Sequence, residues 1–323
     1  MPPTFSTDNN PHGRLAYTCT HPNGHSSITI YQQGAHVTSW RTNHSADGAE
    51  PVWREHLYMS PSAVFKDGKA LRGGVPLIFP QFSDLGPLPV SHGFLRTCTR
   101  WEIVEETQRP TVSPAEEARE GGEPAAVLTL SCVIKDGVEP LVPEAALRLV
   151  YEIAFNRSAL HLQMQVTNDA AATAPFVFGF AYHSYFTVPQ IEAVRVHGLS
   201  HTPYLDDLQD RKRCEPEKVE HIHEEIDRIY IDQHNKPIQL ELAETPGQSG
   251  HVDHLVVHGE QLRDTVLWNP WVEKTKGMSD MPEDGYKYFV CVESGNILEK
   301  TTLAPGATWT GSQCIHYKVA SSS

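Results

Sequence analysis

LHLQMQVTN at 160–168 alternates without a break: Leu160, Leu162, Met164 and Val166 fall on one face, His161, Gln163, Gln165 and Thr167 on the other. A period of two is what a half-buried β-strand needs, because successive side chains leave opposite faces of the pleat. Upstream, LRLVYEIAF (147–155), AAVLTLSCVI (125–134) and SSITIYQQGAHVTSW (26–40) either alternate or are rich in β-branched and aromatic residues between turn residues. They read as further strands. The 24 prolines, spread along the chain, work against long helices. Strands at this spacing without helical crossovers predict an all-β protein, a sandwich or a barrel.

The 323 residues are expected to form a single domain, since all-β sandwiches reach this size undivided. Tails are expected at about residues 1–20, where MPPTFSTDNNPHGRL is rich in Pro, Asn and Gly, and at 319–323. EETQRPTVSPAEEAREGGEP (105–124) is charged and nearly free of large apolar residues, and it reads as a surface insertion. A net charge of −14 argues against nucleic acid or an anionic membrane as partner, because both demand a basic face. There is no apolar run of about 18 residues to span a bilayer, and the N-terminus has neither the basic start nor the apolar stretch of a secretory signal. The six cysteines (Cys19, Cys98, Cys132, Cys214, Cys291 and Cys314) show no C-x-x-C pair and read as reduced thiols. A cytoplasmic protein is expected, and in the absence of heptads a monomer.

Against this acidic background, RGGVPLIFPQFSDLGPLPVSHGFLR (72–96) gathers Arg72, His92 and Arg96 in one Gly- and Pro-rich segment. Two guanidiniums held by such a loop can form a forked receptor for phosphate or carboxylate, since Arg keeps its charge and donates in a plane. They can equally be surface residues at strand ends. His183, in FGFAYHSYF, is a polar interruption of an aromatic strand-like run, either a satisfied core residue or a proton carrier. Glu293 ends the apolar strand KYFVCV, as a structural strand end or as a rigidly held carboxylate. Asp227, in EEIDRIYID, sits among Glu224, Glu225 and Arg228, where a solvated charge cluster is the simplest reading.

RGGVPLIFPQF followed by HGFLR resembles the glucose-6-phosphate 1-epimerases (hexose-6-phosphate mutarotases), a branch of the aldose 1-epimerase superfamily. FVFGFAYHSYFTV (176–188), EIDRIY (225–230) and DTVLWNPWVEKTKGMSDMPEDGYKYFVCVESGNI (264–297) extend the resemblance in the family's order, over about residues 20–318. The resemblance implies a large antiparallel sandwich of the galactose mutarotase type. It also implies interconversion of the α and β anomers of hexose 6-phosphates, chiefly glucose 6-phosphate.

That reaction needs a base to take the O1 proton and an acid to protonate the ring oxygen. The ring opens, C1–C2 rotates, and the ring closes on the other face. On the resemblance His183 is the acid and Glu293 the base. Arg72, His92 and Arg96 meet the phosphate or sugar, and Asp227 hydrogen-bonds sugar hydroxyls. Trp268 and Asn269 would offer an aromatic wall and an amide. Two positions depart from the family pattern: Ser91 stands where members often carry Gln, and Leu95 where they carry a small residue.

No cofactor is expected, and no metal. HIH (221–223) and HVDHLVVH (251–258) have suggestive spacings, but neither segment supplies a third or fourth ligand. Two other readings remain open: a non-catalytic sugar-phosphate-binding module, and a mutarotase of unphosphorylated aldoses.

Overall fold

The computed structural model describes residues 4–9, 12–45, 49–104, 125–135, 137, 139–218, 221–233, 236–246 and 252–320. The insertion expected at 105–124 lies outside the described residues. The remainder is almost entirely β, in three sheets whose neighbouring strands run antiparallel.

The first sheet is a meander of β1 (Thr4–Asn9), β2 (Leu15–Thr20), β3 (Ser26–Tyr31), β4 (His36–Asn43) and β5 (Trp53–Glu55). Here the expectation of a tail over residues 1–20 is corrected. Leu15–Thr20 is ordered by pairing with β1 and β3, and Ala16 and Cys19 are buried. The second sheet contains β7 (Glu102–Ile103), β8 (Ala126–Ile134), β9 (Leu147–Phe155), β10 (Ala159–Asn168), β13 (Arg195–His197), β17 (Ile238–Leu242), β18 (Asp253–Glu260) and β21 (Thr308–Lys318). Their order is β13-β17-β18-β21-β10-β9-β8-β7. The third contains β6 (Leu77–Ile78), β11 (Phe176–Tyr182), β14 (Tyr204–Asp206), β15 (Lys212–Cys214), β16 (Ile226–Tyr230), β19 (Asp264–Asn269) and β20 (Phe289–Leu303). It runs β15-β14-β16-β19-β20-β11-β6, with β12 (Tyr185–Thr187) paired to β20.

The second and third sheets face one another. Leu160, Leu162, Met164 and Ile315 of one join Phe178, Phe180, Tyr182, Val290 and Val292 of the other in a single buried cluster. Each large side chain so buried contributes about 1.5–3 kcal/mol, and the strict alternation at 160–168 is what delivers four of them to one side. The Tyr182 hydroxyl donates across the interface to the Gly311 carbonyl at 3.0 Å.

The outer face of the third sheet is also covered. Tyr58 and Phe82, from the segments before and after β6, and Met281 from a later loop pack over Tyr185, Trp268, Phe289 and Cys291. Two glycines of the 72–96 segment shape the chain around β6, in a different way from the ligand approach that glycine allows in principle. Gly73 has φ of 114°, and a Cβ there would lie 2.3 Å from the Tyr58 carbonyl oxygen. Gly93 has φ of 66°, and its Cβ would lie 2.1 Å from that of Phe79. They let the segment lie against the protein's own backbone. α1 (Trp271–Lys276) is the one α-helix among the described residues, and no described helix is long and apolar enough to cross a membrane.

Candidate active site

The site is assembled on the outer face of the third sheet, where strand register brings distant residues into rows. Tyr182 pairs with Ser294 and Tyr185 with Cys291, so His183, between β11 and β12, stands opposite Glu293 on β20. Asp227 pairs with Trp268, which pairs with Cys291, so Asp227 comes from two strands away to the same face. Residues two apart on a strand share a face, which is why His183 and Tyr185, and Cys291 and Glu293, project together.

His183 Nδ1 lies 3.2 Å from Glu293 Oε1, with side-chain exposures of 12 % and 1 %. The approach lacks hydrogen-bond angles: His183 Nδ1 and Glu293 Oε2 are both buried without a hydrogen-bond partner. Buried polar atoms are normally satisfied, so this pair is poised for groups that a ligand would bring. The imidazole is stacked on Tyr185, with centroids 4.9 Å apart and planes at 7°, and meets Trp268 and His92 edge-on at 5.9 and 5.5 Å. These rings fix its orientation.

Electrostatics sets the two groups apart. Burial pushes the Glu293 carboxyl well above the usual range, and the charge of Asp227 adds to it. Burial pushes His183 well below its ordinary value, and His92, Arg72 and Arg96 push it further the same way. Asp227 is itself raised to about 6, chiefly by burial, against the opposing charge of Lys274. Lys274, on α1, lies 3.6 Å from Asp227 and 3.1 Å from Glu225.

A cationic rim lies beside the imidazole. Arg72 donates to Asp280 Oδ2 through Nε at 3.2 Å and to the Tyr185 hydroxyl through Nη1 at 3.1 Å. Arg96, in a 3-10 turn at Leu95–Thr97, donates to the Ser91 carbonyl at 2.8 Å and makes no ion pair among the described residues. Its turn is seated against Gly34, where a Cβ would meet the Arg96 carbonyl oxygen at 2.7 Å. His92 Nδ1 accepts from the Ser83 backbone N–H at 3.1 Å, so the neutral ring carries its proton on Nε2, free to donate. Burial first, then Arg96 and Arg72, hold His92 at about 3 and therefore neutral.

The arrangement is held from beneath. Ser184 Oγ donates to Gln313 Oε1 at 2.5 Å, and Gln313 Nε2 donates to Ser294 Oγ at 2.9 Å. One side chain of the second sheet thus ties together the neighbours of both His183 and Glu293.

The sequence pattern of the aldose 1-epimerase family matches residues 16–316. The chain belongs to the aldose 1-epimerase family. Membership makes it an isomerase of sugar anomers with a small-molecule sugar as ligand. It is 32% identical over 290 residues to a protein of Cenchrus ciliaris provisionally named glucose-6-phosphate 1-epimerase, covering 87% of this chain and 78% of that protein. A protein of Escherichia coli (strain K12) with the same provisional name is 30% identical over 278 residues, covering 85% and 80%. Among solved structures, a protein of Salmonella typhimurium provisionally described as a mutarotase superimposes with a TM-score of 0.75 at 23% identity, covering 98% of this chain and 94% of that one. Galactose 1-epimerase of Lactobacillus acidophilus superimposes with a TM-score of 0.63 at 16% identity, covering 99% and 100%. These two likenesses show a galactose mutarotase-like fold.

On this aldose 1-epimerase framework the residues singled out from the sequence, His183, Glu293, Arg72, His92, Arg96 and Asp227, gather around one face of the third sheet. Trp268, expected as an aromatic wall for the sugar, meets the His183 ring edge-on. Asn269 does not face the site: it is fully buried, donates to the Tyr286 and Phe289 carbonyls at 2.9 Å, and accepts from Trp271 N. The two departures from the family pattern also find places. Ser91 contributes its backbone carbonyl to Arg96, a contact indifferent to its side chain, and Leu95 is fully buried in the main core. Sequence reasoning missed Tyr185, Lys274, Asp280 and Gln313. Tyr185 was detectable by its i+2 spacing from His183, and Lys274 and Asp280 lie in the quoted WNPWVEKTKGMSD run. Nothing local distinguishes Gln313.

Proposed function

We propose that this aldose 1-epimerase acts on hexose 6-phosphates, chiefly glucose 6-phosphate, with Glu293 and His183 as the base–acid pair. The observation that carries this reading is the contact of 3.2 Å between His183 and Glu293 beside the Arg72 and Arg96 guanidiniums. Glu293 takes the proton of the sugar O1 hydroxyl while His183 gives one to the ring oxygen, breaking the C1–O5 bond. After rotation about C1–C2 the same two groups run the steps in reverse. Asp227 accepts from sugar hydroxyls, and neutral His92 donates through Nε2.

The electrostatics ties the phosphate to the chemistry. In the free site burial and neighbouring charges hold the imidazole low and the carboxyl high. A phosphate dianion seated on Arg72 and Arg96 offsets the two positive fields acting on His183. The imidazole then holds a proton more readily, as an acid requires.

One observation favours the unphosphorylated aldose instead: Asp280 already neutralises part of Arg72. Arg96, with no acidic partner among the described residues, is left to decide. A mutarotation assay comparing glucose 6-phosphate with glucose, on the protein and its His183→Ala variant, tests the reading. A marked preference for the phosphorylated sugar, abolished in the variant, is expected. Equal turnover of both sugars would remove the phosphate assignment, and an active variant would remove the acid.

A further inference from the structure

Away from the candidate active site, the second sheet carries another cluster. β18, β21 and β10 lie side by side, and in their register His258 pairs with Cys314, which pairs in turn with His161. His316, two residues beyond Cys314, projects from the same face. The intervening Ile315 and Tyr317 belong to the buried core, so the cluster points the opposite way, to the outer side of the sheet.

The ligating atoms of His258, Cys314 and His316 all lie within 4.8 Å of one another. Cys314 Sγ is 3.1 Å from His316 Nε2, and the His258 and His316 rings are near-parallel, with centroids 6.0 Å apart and planes at 13°. Cys314 and His316 are 5% and 9% exposed, while His258 is half-buried at the rim and gives a path of entry. His161, beside them on β10, is 1% exposed. Two carboxylates sit one row further along the face: Glu260, which accepts from Ser312 Oγ at 3.3 Å, and Glu152 across from Gln163.

We propose that His258, Cys314 and His316 form a binding site for a thiophilic divalent transition metal of the zinc class, with a water as fourth ligand. Zinc takes thiolate sulfur at about 2.3 Å and imidazole nitrogen at about 2.0–2.1 Å in a tetrahedron, which sets neighbouring ligand atoms about 3.3–3.8 Å apart. The distances here bracket that range, so rotamer adjustments of about an ångström close the site. Sulfur with nitrogen selects against magnesium and calcium, which want oxygen. On binding, the Cys314 thiol releases its proton and the thiolate electron pair forms the metal–sulfur bond. Because ligands come from β18 and β21, with β10 adjoining, the ion pins neighbouring strands together. It faces away from His183 and Glu293 and takes no part in the sugar chemistry.

The histidine spacing at 251–258 predicted no metal because no third ligand lay nearby in sequence. Strand pairing supplies it from residues 314 and 316.

The test uses full-length protein stripped of metal with chelator and titrated with zinc and, separately, cobalt(II). One zinc ion per chain and a raised Tm are expected, as for any ligand that binds only the folded state. Cobalt should give the thiolate-to-metal charge-transfer band and the intense visible bands of a tetrahedral site. Cys314→Ser should abolish the charge-transfer band and weaken zinc by more than the roughly 10–100-fold that loss of an outer-shell partner causes. Cys214→Ser, with a cysteine elsewhere, should change neither. If Cys314→Ser does not fold, His258→Ala at the half-exposed rim serves in its place and should weaken zinc likewise. Zinc bound without a thiolate band, or bound as tightly by Cys314→Ser or His258→Ala, would overturn the assignment, as would no binding at all.

Discussion

Gln313 accepts a hydrogen bond from Ser184 Oγ at 2.5 Å, reaching from β21 in one sheet to the residue beside His183 in another. Its amide nitrogen donates to Ser294, the residue beside Glu293. Gln313 is fully buried and never meets the outer face on which the site lies. It acts as a positioning residue, fixing the height at which the two strands present imidazole and carboxylate. Gln313→Leu strands two buried hydroxyls, each costing about 1–3 kcal/mol, so Tm should fall, and kcat should fall with little change in KM. Adding Ser184→Ala and Ser294→Ala removes the stranded groups and should recover Tm without recovering kcat. A folded Gln313→Leu protein with unaltered kcat would show the contact to be structural only.

Glu293→Gln and His183→Ala should each lower the anomerisation rate by about 10²–10⁴-fold, the usual loss for a positioned acid or base. The two act in one cycle, so the double variant should be scarcely slower than either single. Multiplicative losses in steady-state assays would dissolve the pairing. Circular dichroism and Tm would confirm that the fold survives.

Arg96→Ala should weaken glucose 6-phosphate by about tenfold or more, the equivalent of roughly 1.5–3 kcal/mol for a charge-assisted contact, and leave glucose nearly unchanged. Arg72→Ala alone leaves Asp280 without its cation, so Arg72→Ala with Asp280→Asn is the cleaner comparison. The His183 imidazole, followed by NMR, should titrate at higher pH in Arg96→Ala, because one positive field that depresses it is gone. An Arg96→Ala protein that loses both sugars equally, with His183 unmoved, would mark Arg96 as structural.

Two buried imidazoles should make the protein less stable in acid. His36 is buried with Nε2 2.7 Å from the Gly73 carbonyl, next to Arg72, and burial lowers it to about 4. His56 is lowered to about 3, again first by burial. Both are neutral in the folded protein, while in the unfolded chain they take up a proton near the ordinary value of about 6.5. Their contribution to stability is therefore constant above that value and falls as pH drops from about 6.5 toward 4 for His36 and toward 3 for His56. The slope is at most about 1.4 kcal/mol per pH unit for each ring. Urea midpoints at pH 7.5 and 5 would show it, and His36→Gln should flatten part of the slope. A His36→Gln protein with the parent's slope would contradict the burial of His36 in neutral form.

The all-β class was written in the sequence because strand formation at 160–168 is a local matter: period-two alternation needs nothing beyond nine residues to declare which face is buried. His183 and Glu293 were singled out through the resemblance of the motifs that flank them, since a polar residue in an apolar strand context alone left a structural reading open. The tail expected at residues 1–20 shows where local reading fails, since LAYTCT is ordered by pairing with β1 and β3. The same limit applies to Gln313, to Asp280 beside Arg72, and to the meeting of His258 with Cys314 and His316. None of these partners is near in sequence, and composition carries no record of which strand lies beside which. Register decides them, because a shift of one residue would turn every side chain of a strand to the other face. The sequence thus determined which segments form strands and which residues carry useful chemistry. The tertiary structure alone decided which of those residues stand within reach of one another.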